Sequence, residues 1–289
     1  MKPFSLTNYA GHIHLHSPFV PGAAAGLSQT CLVDALLAEL LHSGTAGDNQ
    51  SERRALLDSL LTQLPPDTLS QQGTALLDAL LQAEAAGRQI TRVEDLPPFL
   101  TIGTTKVVLW HGDITTLKVG AIVNAANSQL LGCFLPGHKC IDNAIHSRAG
   151  VQLRRDCDTI IRLQGHEEAT GLAKITRGYN LPADYVVHTV GPIVQGELTH
   201  YHSQRLADSY RNSLEITKEI EGLRSLALCS ISTGVFGYPI EHATPLAIAT
   251  VANWLRENPG QLDTLVFNVF SDRDYRTYQA ELEEYICNN

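Results

Sequence analysis

Apolar positions along this chain follow two different periods, and the change between them falls near residue 97. Before it, Leu and Ala recur at spacings of three and four: Leu32, Leu36, Leu37, Leu40 and Leu41 in one run, Leu56, Leu57, Leu60 and Leu61 in the next. That spacing predicts helices over 27–45 and 52–63. A third helix, LSQQGTALLDALLQAEAAG, is expected after Pro65-Pro66, with Gly87 as its C-cap. Beyond Pro97-Pro98, which reads as a hinge, short β-type runs alternate with helical ones. Strands are expected at Lys106–Trp110, Ala121–Ala125, Asp184–Val190, Ser225–Ile231 and Thr264–Phe270, and helices over 141–163, 201–221, 239–257 and 273–286. The prediction is an α/β domain over 98–289, with helices on both faces of a mostly parallel central sheet, preceded by a helical N-terminal extension over 1–97. Ligands of such folds bind beyond the carboxyl ends of the strands, so the residues that follow each strand are the candidates.

Composition narrows the partners. Of 289 residues, 44% are hydrophobic and 18% charged, which supports a packed core and disfavours a disordered chain. Lys and Arg number 21 against 30 Asp and Glu, a formal net charge of −9 that argues against gripping nucleic-acid backbone by bulk charge. No window reaches the ~18–20 apolar residues of a membrane span, and the amino terminus lacks the apolar stretch of a secretory signal. A reducing cytoplasm is the expected compartment, where a close cysteine pair points to metal binding or reactivity.

The strand ends carry the chemistry. After the first strand comes His111-Gly112-Asp113-Ile114-Thr115, where Asp113 either caps the next turn or accepts from an exocyclic amine such as that of adenine. After the second comes Asn124-Ala125-Ala126-Asn127-Ser128, in which one amide can fix the loop while the other faces a ligand. The same loop continues into Cys133, His138 and Cys140, spaced C-x4-H-x-C, with Pro136 and Gly137 letting the chain fold back. Thiolate and imidazole suit zinc, and three ligands leave the open fourth position of a catalytic or substrate-binding metal. A structural site completed from elsewhere, by His146 or Cys157 for example, and unligated thiols are the alternatives. After Ser225–Ile231 comes Ser232-Thr233-Gly234-Val235-Phe236-Gly237-Tyr238-Pro239, whose glycines and following helix suit a diphosphate held by backbone amides. It matches neither a Walker loop nor a GxGxxG fingerprint. Phe270 and Tyr275, at the end of the last strand, either stack on a base or belong to the core.

Taken in order, HGDIT, AIVNAAN, the Cys/His loop running into CIDNAIH, VVHTVGP and STGVFGYP resemble a macrodomain, the ADP-ribose-binding α/β module, over roughly residues 100–289. Ordinary macrodomains carry a glycine triplet where this chain has CFLPGHKCIDNAIH. That departure resembles the zinc-containing branch, which also bears a helical amino-terminal extension and is similar to bacterial and fungal ADP-ribosyl hydrolases. The resemblance implies a three-layer α/β/α fold and a Zn2+ cofactor held by Cys133, His138 and Cys140 beside the distal ribose. It assigns Asp113 and Ile114 to adenine, Asn127 to the distal ribose, and Ser232, Thr233, Gly234, Val235, Phe236 and Gly237 to the diphosphate and ribose. Asp142 takes the place of the acidic residue that is catalytic in many hydrolytic macrodomains. The expected reaction is removal of ADP-ribose from modified protein side chains through an O-linked bond, an Asp/Glu ester or a related linkage. Asp142 would position water or act as base, with His146 a weaker candidate. The expected partner is an ADP-ribosylated protein, a lipoyl-carrier among the candidates. The alternative is a reader that binds ADP-ribose without turnover, its zinc being structural.

Two further features are read from the residues alone. His12-Ile13-His14-Leu15-His16 would present three imidazoles on one face of a strand, and is instead expected to pack through Ile13 and Leu15. Cys31, Cys157, Cys229 and Cys287 are expected to be buried small hydrophobes.

Overall fold

The computed structural model describes residues 4–24, 26–41 and 49–288. A short helix, α1 (Leu6–Tyr9), is followed by α2 (Gln29–Leu40), α3 (Gln50–Gln63) and α4 (Gln71–Ala86). Each of the longer three starts at a polar cap: Ser28 accepts from the Cys31 amide, Asn49 from Glu52 and Ser70 from Gly73. Their Leu stripes meet in one apolar cluster that includes Leu32, Leu36, Leu57, Leu77 and Leu80. The expected helix 27–45 ends earlier, at Leu40, and its residues 42–45 lie outside the described residues.

The segment His12–His16 is a run of turns, not a strand, with Ile13 and Leu15 buried and the three imidazoles exposed. Tyr9, Ile13 and Leu15 belong to the main core, and the Tyr9 hydroxyl accepts from the Ile175 amide. The chain's start is thereby fastened to the far edge of the sheet.

Strands β1 (Thr91–Arg92), β2 (Leu100–Ile102), β3 (Thr105–His111), β4 (Leu117–Lys118) and β5 (Ala121–Ala126) come next, then α5 (Ile141–Ala149) and α6 (Val151–Gln164). They are followed by β6 (Ala173–Arg177), β7 (Tyr185–Val190), α7 (His200–Glu215), β8 (Ser225–Leu228), α8 (Ile240–Glu257), β9 (Thr264–Val269) and α9 (Asp272–Asn288). The main sheet has the order β2-β3-β9-β8-β5-β7-β6, and β1 pairs with β4 separately. The pairings β3·β9, β9·β8, β8·β5 and β5·β7 are parallel, while the outermost β2 and β6 are antiparallel. β5, β7, β8 and β9 are buried at nearly every position, which requires helices against both faces and gives the three-layer α/β/α arrangement expected.

Three expectations shift in detail. The helix 141–163 is two helices, because Gly150 at φ 101° breaks it between α5 and α6. A side chain there would press on Gln152 Oε1 at 2.9 Å and on Asn180 Nδ2 at 3.1 Å. The strand expected over 225–231 stops at Leu228, where the chain leaves the sheet. The edge strands β2 and β6 were not anticipated; β6 interleaves Lys174 and Thr176 with Ile175 and pairs antiparallel with β7, Ile175 opposite Val187.

Candidate active site at the carboxyl edge of the sheet

Parallel register brings the carboxyl ends of β3, β9, β8, β5 and β7 to one edge. β5 and β8 are hydrogen-bonded neighbours, but the chain leaving β5 goes on to β6 and β7 on one side, and the chain leaving β8 goes on to β9 on the other. Their loops diverge there, the arrangement that opens a crevice at a topological switch point.

The loop after β5 is closed by Asn127. Its Nδ2 donates to Gly132 O at 2.9 Å and its Oδ1 accepts from the Gln129 amide at 3.0 Å. Gly132 sits at φ 82°, and a Cβ there would come within 2.8 Å of the His146 ring, so only glycine fits. The chain then folds back through Gly137 (φ 72°) and brings Cys133 Sγ to 3.5 Å from His138 Nδ1. Cys140 is the N-cap of α5 and its Sγ accepts from the Asn143 amide; Asn143 Nδ2 in turn donates to His138 O at 3.0 Å. The ligand atoms of Cys133, His138 and Cys140 all lie within 4.8 Å of one another.

Metal–sulfur and metal–nitrogen bonds of about 2.3 and 2.05 Å at a tetrahedral angle imply a sulfur–nitrogen edge of about 3.5 Å, so this donor set fits zinc. Burial, with the neighbouring Cys133 adding to it, pushes the Cys140 thiol up to about 11. A bound cation is what would hold it as thiolate.

His146 and Cys157, the two groups with which a fourth ligand was associated, pack elsewhere. They form a second, buried group with His188 of β7. His188 Nδ1 lies 3.2 Å from Asn124 Nδ2, and its Nε2 is 2.9 Å from Thr176 Oγ1. Burial holds His146 well below the usual imidazole range and His188 down to about 3, so both rings are neutral.

Asp142, in the first turn of α5, is only 5% exposed. Asn124 Nδ2 donates to its Oδ1 at 2.7 Å, Asn127 Nδ2 approaches Oδ2 at 3.4 Å, and His146 Nε2 lies 3.6 Å from Oδ1. Burial pushes this carboxyl up to about 6, against the opposing pull of the Asn124 hydrogen bond and Arg154. The two asparagines, Asn124 on β5 and Asn127 in the loop after it, thus share the work differently from the simple expectation. Asn127, named for the ribose, is itself the residue that closes the loop, while the fully buried Asn124 faces the carboxylate. Sequence reasoning weighed Asn124 only as one of two interchangeable amides and gave His188, inside the quoted VVHTVGP, no role of its own.

Across the crevice, the loop after β8 folds on itself. Gly237 N donates to Gly234 O, Tyr238 N to Ser232 O, and Val194 N to Phe236 O. Among the described residues, the amides of Gly234, Val235 and Phe236 have no hydrogen-bond acceptor, and Gly234 and Val235 are exposed. Gly237 is left-handed (φ 71°), as is Ser232 (φ 65°), whose buried Oγ also has no partner. Thr233 is anchored by its hydroxyl on Ser230 O. Pro239 is the N-cap of α8, just outside the first turn.

Asp113 caps the turn Ile114–Thr116, accepting from Thr115 N at 2.9 Å and Thr115 Oγ1 at 2.7 Å, and remains exposed at the end of β3 while Ile114 is buried. Phe270 is 77% exposed at the end of β9, whereas Tyr275 packs on the core. Of the four cysteines expected to be buried, Cys157 and Cys229 are; Cys31 and Cys287 are exposed, because each lies on the outer side of a surface helix. No helix among the described residues is long and apolar enough to cross a membrane.

A mostly parallel sheet with free backbone amides in the loop after β8, and a thiol–imidazole group with a buried carboxyl after the neighbouring β5, defines an α/β module with a candidate anion site at the carboxyl edge of its sheet. Residues 123–247 match the family model described as Macro domain. The chain is 46% identical over 249 residues to a protein-ADP-ribose hydrolase of Treponema medium, covering 86% of this chain and 95% of that protein. Among solved structures, the Trypanosoma brucei macrodomain in complex with ADP-ribose is 28% identical with a TM-score of 0.59, over 92% of this chain and 100% of that one. A variant of the Oceanobacillus iheyensis macrodomain with ADPR is 39% identical with a TM-score of 0.59, over 65% of this chain and 97% of that one. This chain belongs to the macrodomain family.

Proposed function

We propose that this chain is a protein-ADP-ribose hydrolase whose site holds Zn2+ through Cys133, His138 and Cys140. The observation that carries the reading is the juxtaposition on one loop: the three metal-type ligands lead directly into α5, whose first turn holds Asp142. The name of the Treponema medium relative supports hydrolysis rather than binding alone. Residues 98–289 are the macrodomain and 1–97 its helical extension.

In this reading the free amides of the Ser232–Gly237 loop take the diphosphate, offsetting its charge with backbone dipoles where no Lys or Arg is needed. Asp113 and Ile114 receive the adenine. Asn127 faces the distal ribose from a loop it rigidifies itself. A bound zinc supplies Lewis-acid polarisation of oxygen beside that ribose. Asp142 acts on the reaction by orienting: it is buried, and its oxygens are approached by the side-chain amides of Asn124 and Asn127, so it fixes Asn127 and with it the water's approach. The substrate is an ADP-ribosylated protein, a lipoyl-carrier among the candidates, linked through an O-glycosidic bond to Asp, Glu or a related acceptor. Metal ligation by two thiolates suits a reducing cytoplasm.

The test is release of ADP-ribose from a protein modified on Asp/Glu, alongside metal content, for wild type and Cys140→Ala. Wild type should carry about one zinc per chain and release ADP-ribose, and C140A should lose both. Full activity after complete metal removal would refute the zinc assignment. Tight binding of ADP-ribose without release would identify a reader instead.

A further inference from the structure

We propose that the helical extension holds the Cys/His loop in place through one buried guanidinium, that of Arg154. Arg154 lies on α6 and is 7% exposed. Its Nε donates to Leu131 O at 2.8 Å, two residues before Cys133. Its Nη1 donates to Leu61 O at 3.2 Å and to Leu64 O at 2.5 Å, the last turn and C-cap of α3. Its Cζ stands 4.4 Å from the centroid of the Phe134 ring, the residue after Cys133. The side chain therefore grips the loop on both sides of Cys133 and ties it to the carbonyls of Leu61 and Leu64.

The chemistry of each end makes the link specific. The last carbonyls of a helix have no intrahelical donor and carry its negative partial charge, so they are suited to a cation. Guanidinium is planar, with donors diverging in a fixed fork, and can serve a helix end and a separate loop at once while stacking on an aromatic ring. A lysine ammonium is a point charge and cannot span both. The helical extension is itself fastened by independent contacts elsewhere on α3 and on α4. Arg54 of α3 pairs with Glu84 of α4 at 2.6 Å, and Arg148 of α5 reaches the same carboxylate at 3.6 Å. Asp78 of α4 accepts from Gln152 Nε2 at 2.8 Å and Asn180 Nδ2 at 2.7 Å, both in the macrodomain. Arg154 is thus a positioning residue, and the extension is part of the scaffold of the metal loop.

The inference rests on the zinc reading only for its affinity arm, and its other arm needs no metal. Arg154→Met keeps the aliphatic stem and removes every donor. Amide hydrogen exchange across 131–138 should accelerate at least tenfold, with α8 unchanged, and zinc dissociation constants from chelator competition should rise at least tenfold. Arg154→Lys should recover only part of either. Phe134→Leu, a substitution at a partly exposed site that leaves the fold intact, should accelerate exchange over the same segment by a smaller factor. If wild type binds no zinc, the metal assignment fails while the exchange arm still decides the bracing. Exchange over 131–138 within twofold of wild type in R154M, or in R154K and F134L should R154M not fold, would overturn the proposal.

Discussion

Asp78→Ala is the sharpest probe of whether the extension and the macrodomain form one cooperative structure. Asp78 is 3% exposed and receives three donors: Gly22 N at 3.0 Å on one oxygen, and Gln152 Nε2 at 2.8 Å and Asn180 Nδ2 at 2.7 Å on the other. The losses are unequal. Gly22 is half-buried and regains water, and Asn180 Nδ2 keeps a second acceptor, Ala149 O at 3.0 Å. Gln152 is 4% exposed, and Asp78 is the acceptor its amide nitrogen uses. A buried donor left without a partner costs about 1–3 kcal/mol, and hydrogen bonds to a charged acceptor contribute about 1.5–3 kcal/mol each. Because the three share one carboxylate they do not add, and the expected loss is about 3–5 kcal/mol. For a chain of this size that corresponds to a fall of roughly 6–15 °C in Tm. Thermal and urea denaturation of the full chain would measure it, and a single transition should persist. Asp78→Asn keeps the volume but turns an NH2 toward one of the donors, so it should recover only part of the loss. A destabilisation below about 1 kcal/mol for D78A would show that the extension rests on the domain without being held by it.

Three further outcomes follow from the site and its supports. Gly237→Ala places a Cβ on a residue at φ 71°, at a cost of about 1–2 kcal/mol, and disturbs the loop that presents the free amides; calorimetric titration should show at least a tenfold rise in Kd for ADP-ribose, and an unchanged Kd would contradict the diphosphate assignment. Asn124→Ala removes the 2.7 Å donor to Asp142, worth about 1.5–3 kcal/mol; kcat should fall at least tenfold with KM little altered, and an unaffected kcat would remove Asp142 and its partner from the reaction. Asp156 is buried and its carboxyl is pushed up to about 6, despite the hydrogen bond donated by Tyr179. Its folded pKa lies above the ordinary value of 3.8, so its contribution to stability is complete below about pH 4 and lost as pH rises through 6, by about 3 kcal/mol in all. Asp156→Asn should flatten the stability profile between pH 4 and 6.5, and parallel profiles for the two proteins would refute the assignment.

Much of this fold was legible because its signals are local. The Leu runs of α2 and α3 declare a helix at every turn, and β5 and β9 are apolar at nearly every position because both faces are covered. The break at Gly150 was not legible, since α5 and α6 are each good helices and only the positive φ of 101° at Gly150, in a space that Gln152 and Asn180 leave too narrow for a side chain, marks the bend. β6 was missed for a related reason: its alternation of Lys174, Ile175 and Thr176 is short, and burial of Lys174 depends on its pairing with Glu168 at 2.6 Å.

The two walls of the crevice divide along the same line. The Ser232–Gly237 loop is held mainly by its own backbone, through Gly237 to Gly234 and Tyr238 to Ser232, with one bond from Val194 to Phe236, so its glycines were a local signal of the free amides it presents. The Cys133–Cys140 loop announces its ligands by spacing, but its conformation is imposed from outside: by the His146 ring beneath Gly132, by Asn127 from the strand end, and by Arg154 carrying the grip of α3. No feature of the sequence around Arg154 separates it from Arg155 beside it, which is exposed to solvent. What distinguishes them is which face of α6 meets the end of α3, a tertiary fact. An acidic chain thus presents free amides through local backbone geometry, whereas the metal-type ligands opposite lie on a loop whose supports include the carboxyl end of α3.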